Sequence, residues 1–373
     1  MTRFWIVISF YLAIYGVMTW YVLSFTARIF SLRGWGVLVL SLWGAFMVAC
    51  PLILRLGEKI GGSILRHALA WVGYVWMGFI FLSFCGLLGL ILLRLILWFA
   101  RYPLSDWGIR WIGIGIIFLS IGTCWWAYRE ALDIHPRHIV IESDKLPPEW
   151  PVLKIVHISD IHLGLLVREK RLSKIIDLAI GEDPHVVVST GDIVDGQMNG
   201  RVGDIEIFHR LSPPLGKFGV IGNHEVYAGL KQSVAFTEEA GFRLLRNEWV
   251  DVGPVILVGV NDPAVSMVEE GHATVYKLLA EIPRDKFCVL LKHQPLVREE
   301  TLGFYDLQLS GHVHGGQIWP FNLITTLIYP MTSGLHELPR GNMLVVTTGA
   351  GTWGPPMRLF ATPEITVIHI QKK

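Results

Sequence analysis

The sequence predicts a two-part protein: an N-terminal region of about four transmembrane helices, then an α/β domain built on a parallel or mixed sheet. Three observations carry this reading. Long uncharged apolar runs of bilayer length dominate the first third of the chain. Beyond it, short Val- and Ile-rich runs of strand length alternate with helical repeats. The charge divides in the same place: up to Val140 there are 11 Lys/Arg against 4 Asp/Glu, a net of +7, and from Ile141 onward 21 against 27, a net of −6. At 52% apolar residues and 15 Trp, the 373-residue chain is too greasy for an ordinary soluble protein. Neither part carries the basic stripe of a nucleic-acid binder, which excludes that class. Cys50, Cys85 and Cys124 fall in the apolar runs and Cys288 stands alone, so no disulfide framework is predicted and the compartment stays open.

Residues 4–27, 36–54, 69–93 and 111–128 are the four expected spans. The first continues too far for a signal peptide. Trp5, Trp20, Trp98, Trp107, Trp126 and Tyr128 crowd the ends of these runs, as interfacial belts do. No Asp, Glu or Lys sits mid-span, which argues for an anchor rather than an ion pathway. With a cytoplasmic N-terminus, the inner side collects Arg3, Arg55, Lys59, Arg66, Arg129, Arg137 and Lys145. The outer side has Arg28, Arg33, Arg94, Arg101 and Arg110. Seven against five puts the second part on the cytoplasmic face. Residues 1–132 are thus read as the anchor, 133–150 as a Pro-containing linker in which 138–141 is a candidate first strand, and 151–373 as the soluble domain.

In the soluble part, strands are expected at 152–158, 185–190, 218–221, 255–260, 287–291, 307–310, 343–348 and 365–370, with helices at 168–180, 234–240 and 272–282. The strands end on polar, Gly-flanked loops, and in α/β sheets sites form where such loops converge. In order, the loops offer Asp160, His162, Asp192, Asn223, His224, His293, His312 and His314. Asp160 and His162 lie two apart, so an extended strand tip would put them on one side. These are oxygen and imidazole donors with no thiolate, a set that suits Mn, Fe or Zn. His224 directly follows Asn223 and is expected to point elsewhere. The seven donors left are too many for one ion and suit two, if a carboxylate is shared. Two divalent ions about 3.5–4 Å apart polarise a phosphoryl group and supply a nucleophile at neutral pH.

Asp-Ile-His at 160–162, Gly-Asp-Ile-Val-Asp at 191–195, Gly-Asn-His-Glu at 222–225, His293 before Gln-Pro, and Gly-His-Val-His at 311–314 resemble, in order, the blocks of the calcineurin-like metallophosphoesterase superfamily. The block running on through Gly-Gly-Gln-Ile resembles its membrane-associated bacterial branch, which includes phosphohydrolases acting on UDP-diacylglucosamine. The resemblance implies an α/β fold of two packed mixed β-sheets flanked by helices, and a binuclear metal-dependent phosphohydrolase at the bacterial inner membrane. It implies that Asp160, His162 and His314 hold one ion, that Asn223, His293 and His312 hold the other, and that Asp192 bridges them. His224 would act on the leaving oxygen as general acid or stabilise charge. Asp195 would fix the loop or a ligand His. The reading from another class is a membrane sensor or scaffold whose phosphatase fold only transmits.

Other residues stay open at this stage. His157, inside a strand run, reads as a hydrogen-bonded core residue, and His185 as structural. His209, His272, His336 and His369 fit no block. Asp195 is equally a turn-capping residue. The apolar stretch 319–338 is either a lid or short helix packed on core or membrane, or the acyl-contacting wall of a site for a lipid-linked phosphoester. Arg340 and Arg358 are candidates for phosphate or head-group contact, or for salt bridges.

Overall fold

The computed structural model describes residues 2–57, 63–198, 201–269 and 275–373. The chain divides into two units, residues 1–129 with 354–357 and residues 130–353 with 358–373.

The helices of the first unit are α1 (Thr2–Ile29), α2 (Trp35–Leu56), α3 (Ser63–Phe99) and α4 (Asp106–Ala131). All four are long and apolar enough to cross a membrane. Tyr15 and Val22 of α1 bury against Ile80, Leu87 and Leu90 of α3. Trp20, Leu42, Leu92 and Leu119 remain exposed, so the helices are apolar all round, as lipid-facing helices are. Two helices outrun expectation. α3 extends beyond 69–93 at both ends, and α4 starts five residues before 111, where Asp106 complements the positive end of the helix dipole. Lys59, counted above for orientation, lies outside the described residues.

The second unit is an α/β sandwich. Its first sheet holds β1 (His135–Glu142), β2 (Val152–His157), β3 (Val186–Ser189), β4 (Lys217–Gly219), β5 (Phe242–Leu244) and β12 (Glu364–Gln371), in the order β1-β12-β2-β3-β4-β5. The second holds β6 (Glu248–Asp251), β7 (Val255–Gly259), β8 (Phe287–Leu291), β9 (Leu307–Ser310), β10 (Gly334–Glu337) and β11 (Met343–Val346), in the order β10-β11-β9-β8-β7-β6. Both are mixed: β2 through β5 run parallel beside an antiparallel β12, and β7, β8, β9 and β11 run parallel between antiparallel β6 and β10. The helices are α5 (Glu169–Gly181), α6 (Val202–His209), α7 (Asn223–Glu239), α8 (Val275–Ala280) and α9 (Asn322–Ile328).

Alternation along each strand builds the layers. Leu153, Ile155, Val186 and Val188 of one sheet pack with Val255, Leu257, Phe287, Val289 and Leu291 of the other in a single core. The intervening Val156 and Val187 turn outward to α5, α6 and α7, and Ile256, Val258, Cys288 and Leu290 turn outward to α8. The passage 133–150 contains β1, paired with β12 from His135↔Glu364 to Glu142↔Gln371. α7 starts at Asn223, well before the expected 234. Of the helix expected at 272–282, α8 covers 275–280, and His272 lies outside the described residues. Phe287 is almost fully buried between the sheets. Phe287→Ala is expected to lower stability by about 3–5 kcal/mol, read from urea denaturation of the detergent-solubilised chain.

Candidate metal centre

Because β2, β3 and β4 run parallel, as do β8 and β9, their C-terminal ends each open onto one rim. The loop after β2 carries Asp160 and His162, and that after β3 carries Asp192. Asn223 opens α7 after β4, His293 follows β8, and His312 and His314 follow β9. Backbone hydrogen bonds stitch these loops together. Asp160 N–H donates to Gly191 O at 3.0 Å, His162 N–H to Asp192 O at 2.9 Å, and Gly311 N–H to His293 O at 3.0 Å.

The side chains meet. Asp160, His162 and His314 form one group with ligand atoms within 4.8 Å of one another, and Asp192, His293 and His312 form a second. Asn223 joins the second group, its Oδ1 lying 2.9 Å from His293 Nε2. Asp192 Oδ2 stands between the two, 3.2 Å from His293 Nε2 and 3.8 Å from His162 Nε2. His224 is closer than expected: it groups with His162 and Asp192, and its Nδ1 lies 2.7 Å from Asp195 Oδ1. Asp195 Oδ2 also lies 3.6 Å from His162 Nδ1, beyond hydrogen-bond distance, so the carboxylate orients His224 and only neighbours His162.

The backbone gets there by an unexpected route. Asp160 and His162 do not share a side through extended geometry. Both have left-handed φ, 55° and 56°, as do Asp192, His312 and His314. Asp and His tolerate this region better than most residues, yet each still stores strain, and such strain clusters at functional sites. Two glycines permit the crowding. A Cβ on Gly311 would stand 2.0 Å from Asp160 Oδ2, and one on Gly222 would stand 2.2 Å from Asp192 Oδ1.

Several supporting residues were not legible as such. Buried Glu225 accepts from the N–H groups of Asp192, Val194 and Gly222 at 2.9–3.0 Å, locking the β3 and β4 loops together. Burial, then the Asp192 charge, pushes its carboxyl up to about 7. Tyr329 pairs its hydroxyl with His312 Nε2 at 3.0 Å. Among the described residues Arg358 makes no salt bridge, and its burial keeps it from reaching a phosphate in the cleft. Fully buried, it donates to the carbonyls of His314, Thr348, Gly349, Gly351 and Ala361 and to His314 Nδ1. Arg340 donates to Leu302 O, away from the cluster. His157 is buried and paired with Thr190 Oγ1 at 2.8 Å, and His185 Nδ1 accepts from Lys154 N–H.

The electrostatics are those of a buried charged cluster. Burial pulls His224 down, but Asp195 and Asp192 outweigh it and hold the ring up to about 9. For Asp192, burial is outweighed by His293 and His224, and its carboxyl stays well below the usual range. Burial pushes Asp160 up. Among the described residues Asp160 Oδ2 is buried without a hydrogen-bond partner, and His162 Nε2 and His314 Nε2 approach to 2.9 Å. An unpaired buried carboxylate oxygen beside converging ring nitrogens is unfavourable alone and fits divalent cations. In front lies a cleft of about 270 Å³, walled on one side by Phe321, Ile324, Ile328 and Trp353.

Two packed mixed sheets with carboxylate, amide and imidazole donors at the parallel strand ends define a metallophosphoesterase. Residues 153–316 match the calcineurin-like phosphoesterase family. An uncharacterized metallophosphoesterase of Aquifex aeolicus (strain VF5) is 36% identical over 69% of this chain and 99% of its own length. A transmembrane protein with metallophosphoesterase domain from Danio rerio is 31% identical over 63% of this chain and 56% of its own. Among solved structures, a 5'-nucleotidase precursor from Thermus thermophilus aligns at 17% identity and TM-score 0.37, over 59% of this chain and 54% of that one. The chain belongs to the calcineurin-like phosphoesterase family, and is a phosphoester hydrolase and a membrane protein.

Gly311→Ala is expected to displace the Asp160 carboxylate. Elemental analysis of the purified chain should find metal content lowered while the fold, followed by circular dichroism, is retained.

Proposed function

We propose that this protein is a two-metal hydrolase that cleaves a phosphoester or phosphoanhydride bond of a lipid-linked substrate such as UDP-diacylglucosamine. It would do so on the cytoplasmic face of a bacterial inner membrane, with residues 1–132 as the anchor and 151–373 as the catalytic domain. The observation that carries it is the position of Asp192 Oδ2 between His293 and His162, which makes two donor groups share one carboxylate. Asp160, His162 and His314 would hold one cation, Asn223, His293 and His312 the other, and Asp192 would bridge. When bound, such a pair supplies Lewis acidity toward phosphoryl oxygens and a nucleophile at neutral pH. The chain does the rest. Asp195 holds His224 Nδ1, leaving Nε2 on the cleft side to protonate a leaving oxygen or stabilise its charge. The apolar wall excludes water and favours an apolar substituent over a free nucleotide. The seven-to-five excess of Lys/Arg supports the cytoplasmic face.

The full-length protein with Mn²⁺ should hydrolyse bis(p-nitrophenyl) phosphate, and either EDTA or Asp192→Asn should reduce turnover to background. Turnover that ignores both rules out the two-metal reading, and its absence throughout favours a sensor or scaffold. A second expectation concerns pH. A His224 acid works while protonated, so activity is present below its pKa and lost as pH rises through it. Bound cations would push that pKa below the metal-free value of about 9. His224→Ala should lower kcat by about 10²–10⁴-fold and remove this alkaline limb from the kcat–pH profile.

A further inference from the structure

From Gly315 to His336 the chain contains no Asp, Glu, Lys or Arg. The segment begins where the family match ends at residue 316 and carries α9. On α9, Ile324 and Ile328 are one turn apart and line the cleft, with Phe321 just before them. Leu323 and Leu327, also one turn apart, do not line it. Leu327 is 85% exposed and Leu323 60%. Phe360 extends the same uncovered chemistry at 77% exposure, and its ring meets that of the half-exposed Trp319 edge-on, with centroids 6.4 Å apart. A single exposed Leu needs no explanation, but several exposed large apolar side chains borne by one uncharged segment and by Phe360 beside the cleft mark an interaction surface.

What covers it follows from its chemistry and from the chain that bears it. The segment offers no charge to pair with a protein partner. It has the Leu, Ile, Trp and Phe that seat in the boundary between lipid headgroups and acyl chains. The same polypeptide carries four apolar helices of bilayer length, and only three residues separate the end of α4 from the start of β1. We propose that Leu323, Leu327, Trp319 and Phe360 seat in a lipid leaflet, so that an amphiphilic phosphoester slides from the leaflet along the Ile324–Ile328 face to the donor cluster. α9 thus has two stripes with separate tasks: one guides the apolar part of the substrate, and the other holds the cleft mouth at the membrane surface. This rests on the lipid-linked reading of the substrate.

The test uses the full-length chain in vesicles of phosphatidylethanolamine and phosphatidylglycerol. A photoreactive Leu327→benzoylphenylalanine variant should give phospholipid adducts on the peptide containing position 327, detected by mass spectrometry. Lys231→benzoylphenylalanine, on an exposed position of α7, should give none. Adducts at 327 no more frequent than at 231, or adducts with protein alone, would overturn the proposal. In the second arm, Leu323→Asp combined with Leu327→Asp should leave hydrolysis of bis(p-nitrophenyl) phosphate within about twofold and slow an amphiphilic phosphoester in the vesicles by about tenfold or more. Equal loss on both substrates would also overturn it. Soluble-diester turnover without lipid adducts sinks the surface and spares the hydrolase. Lipid adducts without turnover of any phosphoester sink the hydrolase and spare the surface.

Discussion

The constraint on which this structure turns is the crowding of like polar atoms in a buried place. Asp160 and Asp192 are almost wholly buried, Asp160 Oδ2 has no hydrogen-bond partner among the described residues, and imidazole nitrogens face one another at 2.9 and 3.1 Å. Such a cluster is held against its own preferences. Five donor residues adopt left-handed φ at roughly 1 kcal/mol or more each. The means of holding it is the core between the sheets. Asp160, His162, Asp192 and Asn223 follow strands of the first sheet, whereas His293, His312 and His314 follow strands of the second. The two sets are tied directly by His312 N–H donating to Asp160 Oδ1 at 2.9 Å and by His293 Nδ1 donating to Thr190 O at 2.8 Å. The shared layer of Leu153, Ile155, Val188, Phe287 and Val289 holds the sheets at that spacing, so the donor distances also depend on packing well away from the donors.

The donors themselves were legible in the sequence, because a ligand is recognised by its atoms and by the Gly-flanked strand end that bears it. All seven, with His224 and Asp195, arrive in one place. The route was less legible. Spacing of two suggested an extended tip at Asp160 and His162, but φ values of 55° and 56° put them there, and that depends on neighbours such as Gly191 that no local rule reveals. The short strands β5, β6 and β10 escaped notice because three or four residues bearing Arg, Glu or His give no apolar run.

Supporting residues were hardest to read for a single reason: their partners are mostly backbone. Glu225 binds three N–H groups and Arg358 five carbonyls, and composition does not disclose which backbone groups fold toward a side chain. Arg358 shows how far this can mislead. A lone arginine near a phosphatase site suggests a phosphate contact, yet here the guanidinium closes the turn behind His314. Its burial is tolerated because carbonyl oxygens receive its hydrogens.

The outer partners also make the two donor groups chemically unequal. A neutral imidazole has one lone pair and one N–H, so the group behind a ring decides which nitrogen can face a cation. His293 Nδ1 donates to Thr190 O at 2.8 Å, and its Nε2 faces the oxygens of Asn223 and Asp192 at 2.9 and 3.2 Å, so without a cation that nitrogen carries a hydrogen as well. His312 can give its Nε2–H to the Tyr329 hydroxyl and keep Nδ1 inward. His314 is opposite in kind. Arg358 can only donate, so it takes the Nδ1 lone pair at 2.8 Å and leaves the hydrogen on Nε2, the atom that faces His162. For His314 to offer Nε2 to a cation, the ring must release that hydrogen or the guanidinium must turn away from a cage of five carbonyls. In the other group His293 Nε2 must likewise give up a hydrogen, although no guanidinium stands behind that ring. Were both groups to take cations, as proposed, each uptake would be coupled to proton loss, and only at His314 would a caged guanidinium also stand behind the ring.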